Sequence, residues 1–182
     1  MSIRPYRDWR PAVGARAWID PAATVIGRVT IGEDVSLWPG VVVRGDVNPI
    51  TIGARTNVQD GAVLHVGSSR LAGGDGIPCI VGEECSIGHA AVVHACTLGR
   101  RVLVGMGAIV MDGAVVGDEA MIGAGALVTA GTRVPPRTLW VGSPARERRA
   151  LTAEEVAFLA ESAAHYVALK EEYRKGAGPQ LS

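Results

Sequence analysis

The sequence predicts a parallel β-helix, a three-sided prism of stacked six-residue repeats, followed by a C-terminal α-helix. Aliphatic residues recur at every sixth position, and glycine commonly follows them. Large side chains are scarce: aromatic residues make up 4% of the 182 residues, against 24 glycines. A sandwich or a bundle of this length fills its centre with larger groups, whereas a narrow prism is filled by Val, Ile, Leu and Ala.

The totals bound the rest. The length fits one domain with a real core. Lys+Arg and Asp+Glu are 18 each, a balance that argues against nucleic acid or an anionic membrane as the main partner. No apolar run approaches a membrane span, and the start MSIRPYRDWRPAVG lacks the apolar core of a signal peptide. Cys79, Cys85 and Cys96 are odd in number and form no CxxC pair, which points to reduced thiols in a cytoplasmic chain.

Residues 1–20 are Pro- and Arg-containing and read as an N-terminal arm. Its Pro5, Tyr6, Trp9, Pro11 and Trp18 are expected to cover the open end of a stack. The β-helix is assigned to residues 21–142. Its register runs through Ile31, Leu37 and Val43, then Ile52, Val58 and Leu64, then Val81, Ile87 and Val93. From Leu98 it continues through Val104, Val110, Val116, Ile122, Val128 and Val134. Pairs such as Ile52-Gly53 and Ile87-Gly88 read as a short strand followed by a tight corner with unusual backbone angles. Three such strands close one triangular coil.

The period breaks in three places. Three residues are added around Val47-Asn48-Pro49, a flexible loop fills 67–78, and Ile87 and Leu98 stand eleven apart instead of twelve. Defects in a regular repeat are expected where function is placed. Residues 143–182 form the C-terminal helix and tail. Thr152 and Glu155 make a capping box, and Val156, Leu159, Ala163, Tyr166, Val167, Lys170 and Tyr173 follow at helical spacing. The helix is expected to pack back on the rod or on a neighbour, and the Gly/Pro tail to fray.

Three of the chain's four histidines lie among these breaks. Arg44, His65 and His94 each come one position after a register aliphatic, so they are expected on one face in consecutive coils. Coils stack about 4.8 Å apart, a workable span for two imidazoles on one metal with bonds near 2.0–2.1 Å. His89 falls in the preceding hexad and belongs to the adjacent face. A metal held by His65 and His94 of one chain and His89 of the next, zinc with iron or cobalt as alternatives, satisfies that spacing if prisms associate face to face. Gln59 is placed to hydrogen-bond a metal-bound water, and Arg44, Asp46 and Asp60 to form an ion-pair network between subunits. His165 reads as an ordinary helix residue.

At these residues the chain resembles the gamma-class carbonic anhydrase family, whose fold is a left-handed β-helix of hexapeptide repeats. The resemblance rests on VVVRGDVNPITIGARTNVQDGAVLHV and SIGHAAVVHACTLG. It implies a homotrimer with interfacial metal sites and CO2 or bicarbonate as substrate. His65, His89 and His94 are then the metal ligands, and Gln59 orients the hydroxide. Arg44 and Asp60 match the intersubunit ion pair, and Asp46 an active-site carboxylate. Tyr166 matches a tyrosine carried towards the metal by the C-terminal helix. Two departures stand out. Val47 follows Asp46 where active members carry Glu, and the loop GSSRLAGGDGIP has one acid, Asp75, and no Glu. Reversible CO2 hydration is the first expectation. A metal-binding trimer without turnover and a metal-dependent thioesterase are alternatives. A coenzyme A-dependent acyltransferase is less favoured, because it needs one catalytic histidine rather than three in register.

Overall fold

A computed structural model describes residues 2–72 and 74–176. They wind as a three-sided parallel β-helix closed by one long helix, Ala153–Gly176. The first face stacks Ser2–Arg4, the start of Thr24–Ile31, the start of Val42–Ile52, Val63–His65, Val92–His94, Ile109–Val110 and Leu127–Val128. The second stacks Ala12–Val13, the ends of the same two long strands, Cys79–Val81, Thr97–Leu98, Val115–Val116 and Arg133–Val134. The third runs from Trp18–Ile19 through Ser36–Leu37, Asn57–Val58, Ser86–Ile87, Leu103–Val104 and Met121–Ile122 to Thr138–Val141.

The six-residue period is the inward column of each face. Val43, Leu64 and Val93 stack on the first, Ile52, Val81 and Leu98 on the second, and Leu37, Val58 and Ile87 on the third, all buried. Burying each such side chain contributes roughly 1.5–3 kcal/mol. The glycine after the aliphatic residue answers a close approach rather than an unusual angle. A Cβ at Gly53 would lie 2.5 Å from the backbone of Gly82 and Glu83 in the next coil.

Left-handed backbone falls elsewhere, at the corners. On the edge between the second and third faces it is held by charged residues: Arg16, Asp34, Arg55, Glu84, Arg101, Glu119 and Arg137, with φ from 54° to 58°. Their signs alternate coil by coil. Contacts run from Arg16 to Asp34 at 2.7 Å, from Arg55 to Glu84 at 2.8 Å, and from Glu119 to Arg101 at 3.0 Å and Arg137 at 2.6 Å.

Both ends of the rod depart from the expectation. Residues 2–20 are not an arm laid over an open end. They give one strand to each face and so form the first coil. Trp18 packs sideways, on Trp38 and Tyr173 of the helix, with ring centroids 4.7 and 5.3 Å away. At the other end the chain continues past 142, where Arg146–Ala150 pairs antiparallel with Thr138–Val141. The loop 67–78 is anchored: Gly67 and Ile77 exchange backbone hydrogen bonds of 2.8 and 3.0 Å, and Ser69–Ala72 is a helical turn. Asn48, from the three-residue insertion, donates to the carbonyls of Gly67 at 3.2 Å and Asp75 at 2.8 Å. The two insertions therefore brace each other.

The capping box forms, with Glu155 N–H donating to Thr152 Oγ1 at 3.2 Å and Thr152 N–H to Glu155 Oε2 at 2.9 Å. The helix packs on the third face, burying Leu159, Ala163 and Lys170. The tail 177–182 lies outside the described residues. Among the described residues no helix is long and apolar enough to cross a membrane.

Candidate metal centre

His65 and His94 end neighbouring strands of the first face and are register partners. Register pairing turns both rings outward on the same side, with His65 Nδ1 3.0 Å from His94 Nε2. The remaining nitrogen of each meets a carboxylate: His65 Nε2 lies 3.2 Å from Asp46 Oδ1, and His94 Nδ1 2.6 Å from Asp112 Oδ1. Arg44 closes the row by pairing with Asp46. Burial foremost, aided by the nearby charge of Arg44, lowers the pKa of His65 and favours its neutral, ligating form. Burial alone would raise Asp46, but the hydrogen bonds from Arg44 and His65 outweigh it and leave that carboxylate lowered. Arg44, His65, His94 and Asp112 line a cavity of 310 Å³.

His89 sits on the other edge of the first face, at the corner that follows Ser86–Ile87. Its Nδ1 lies 2.9 Å from Asp60 Oδ2. It borders a second cavity, of 630 Å³, between the third face and the C-terminal helix, together with Gln59 and Tyr166. Tyr166 keeps its proton firmly, because burial foremost, and then the charge of Asp60, raise its pKa.

Gln59 is oriented by a chain of hydrogen bonds that reaches the helix. Ser86 Oγ lies 2.9 Å from Ser162 Oγ, and Asn57 Nδ2 donates to Ser86 Oγ at 2.8 Å. Gln59 Nε2 in turn donates to Asn57 Oδ1 at 3.0 Å.

Each chain thus carries two candidate half-sites on opposite edges of one face: Arg44, Asp46, His65 and His94 on one, Gln59, Asp60, His89 and Tyr166 on the other. Among the described residues no three His, Cys, Asp or Glu side chains of one chain gather tightly enough to hold a metal. Arg44 and Asp60, expected as an ion pair, engage Asp46 and His89 within the chain. Sequence reasoning missed Asp112 and Asn57. Asp112 had a signal, since it follows His94 by one full coil of eighteen residues. Asn57 had none, because an Asn on an outward column reads as surface.

The fold is that of repeat-built β-helices, and the comparisons narrow the class. The family model described as "Bacterial transferase hexapeptide (six repeats)" matches residues 11–45 and 95–130. Protein YrdA of Escherichia coli is 50% identical over 171 residues, 94% of this chain and 93% of its own length. The probable carbonic anhydrase of Methanocaldococcus jannaschii is 50% identical over 153 residues, 84% of this chain and 92% of its own. A hexapeptide transferase family protein from Anaplasma phagocytophilum superposes with a TM-score of 0.88 at 42% identity, over 94% of this chain and 98% of that one. The chain belongs to the gamma carbonic anhydrase-like family of hexapeptide-repeat proteins.

Proposed function

We propose that the protein is a gamma-class carbonic anhydrase-type metalloenzyme, a homotrimer that hydrates CO2 reversibly at sites shared between chains. The observation that carries this is the facing pair His65 Nδ1 and His94 Nε2, 3.0 Å apart. That separation is close to the roughly 3.3 Å between two ligands on a tetrahedral zinc with bonds near 2.05 Å. His89 of a neighbour is the third ligand, and each histidine then has one ring nitrogen held by an aspartate, as ligating imidazoles commonly do. Bound there, zinc would lower the pKa of a coordinated water to about 7 and supply a nucleophile at neutral pH. Gln59, its amide fixed by Asn57, keeps Oε1 free to accept a hydrogen bond and so align that nucleophile. Arg44 facing Asp60 of the neighbour would tie the two half-sites together.

The relatives named carbonic anhydrase support the activity. The 630 Å³ cavity favours a second reading, thioester hydrolysis at the same centre, because CO2 needs far less space.

The decisive experiment uses two variants. His65→Ala and His89→Ala are each expected to lose zinc binding and CO2 hydration measured by stopped flow. Unfolded and refolded together in equal amounts, they should regain about a quarter of the wild-type sites, since one junction in four joins an intact half from each parent. No recovery in mixed trimers would exclude a shared site. Zinc-replete wild-type trimer without CO2 turnover would exclude the anhydrase, leaving thioester hydrolysis or a structural metal.

A further inference from the structure

The fourth histidine takes no part in either half-site, yet it stands on the wall of the 630 Å³ cavity that His89, Gln59 and Tyr166 also line. The C-terminal helix presents that wall as one stripe: Phe158, Glu161, Ser162, His165 and Tyr166, spaced by three and four residues so that they share a face. His165 is exposed, with its ring edge-on to Tyr166 at a centroid separation of 5.5 Å. His165 therefore borders both the cavity and bulk water.

We propose that His165 is the proton-transfer residue of this enzyme, a role that rests on the anhydrase reading. Hydration of CO2 yields bicarbonate and one proton per turnover, and the proton must leave the cavity before the next cycle. A carrier works best when its pKa lies near the working pH, and imidazole is the side chain whose ordinary titration falls there. The other titratable groups of the cavity are less suited. His89 is assigned to the metal, and Tyr166 holds its proton because burial and Asp60 raise its pKa. The loop 67–78 offers one acid, Asp75, which lines neither cavity. His165 accepts the proton on a ring nitrogen through water in the cavity and releases it from the imidazolium to solvent buffer. The titratable groups that share the cavity with it are Glu161, one turn earlier on the same stripe, Tyr166, and His89, which is paired with Asp60 on the rod.

The test compares zinc-loaded wild type and His165→Gln in weak buffer and in concentrated imidazole. In weak buffer the variant should lose about tenfold in kcat while kcat/KM holds, because proton export limits only the former. Imidazole should restore it. NMR of ring-labelled protein, with the missing signal of His165→Gln as the assignment, should show this ring perturbed when bicarbonate enters the cavity. Equal kcat in weak buffer, or a ring that bicarbonate leaves unmoved, would overturn the proposal and leave the anhydrase standing. Wild type inactive even in imidazole would remove both.

Discussion

Lys170 has no exposed side-chain surface, and a charged amine in that position needs partners. It finds Asp34 Oδ1 at 2.8 Å on the rod and the carboxylate of Glu171 on its own helix. The spacing of the helix placed Lys170 on the inward stripe, but its rod partner was illegible, because Asp34 lies five coils away along the chain. The hydrogen bond from Arg16 foremost, with Lys170 adding to it, holds Asp34 below its ordinary 3.8 against the opposing effect of burial. A lowered carboxylate contributes stability that is present above its unfolded value and is lost as the pH falls through its folded value. At pH 7 the lock is therefore complete; it begins to weaken below about pH 4 and fails only as Asp34 takes up its proton at still lower pH. Asp34→Asn leaves the buried ammonium with Glu171 alone and should cost about 3 kcal/mol in urea unfolding at pH 7. The fluorescence of Trp38, which packs on Tyr173 at 5.0 Å, should report helix undocking in wild type on acidification. In Asp34→Asn that transition should be absent.

Among the elements, the coil edge between the second and third faces does the most to fix register. A non-glycine residue in the left-handed region costs roughly 1–2 kcal/mol, and the chain accepts this seven times on one edge. The alternating Arg and acid at those corners offset the cost, and they do so only when each coil sits on its proper neighbour. Slipping by one coil would set Arg on Arg. Glu119, with 9% of its side chain exposed, bridges Arg101 and Arg137. Glu119→Arg should lower the Tm by several degrees, more at low salt than at high. A second change, Arg101→Glu, should recover part of the loss. The ladder was hidden in the sequence because the insertions at 47–49 and 67–78 put unequal distances between its rungs. The aliphatic columns were legible because every inward position obeys one chemistry whichever coil it is in. The first coil was overlooked for the opposite reason. Val13 and Ile19 keep the six-residue count that leads to Val25 and Ile31, but Pro5, Trp9 and Pro11 beside them look like an irregular arm.

For the molecule as a whole, the three faces are treated differently. The helix covers the third. The second shows water Thr30, Thr51 and Arg133 beside Ile80. The first carries an outward column of Val42, Val63, Val92, Ile109 and Leu127, and Ile109 is 39% exposed. Such a column, left partly open by its own chain, is the kind of surface that suits a partner, and the two candidate half-sites lie on its two edges. The candidate site was legible as far as the histidines reach, since their offsets from the aliphatic columns give face and coil. The supporting Asn57 was not, because a polar residue on an outward column carries no pattern until its partner is known, whereas Asp112 stands one full coil after His94 and was there to be read. If the first face joins the chains, a charge at its centre should separate them without unfolding the rod, whose interior it does not touch. Ile109→Glu should sediment as a monomer with an unchanged circular dichroism spectrum. It should also bind zinc roughly a hundredfold more weakly, as His65 and His94 are left without a third imidazole. A trimer that keeps its zinc affinity would place the junction on another face and detach His89 from the other two histidines.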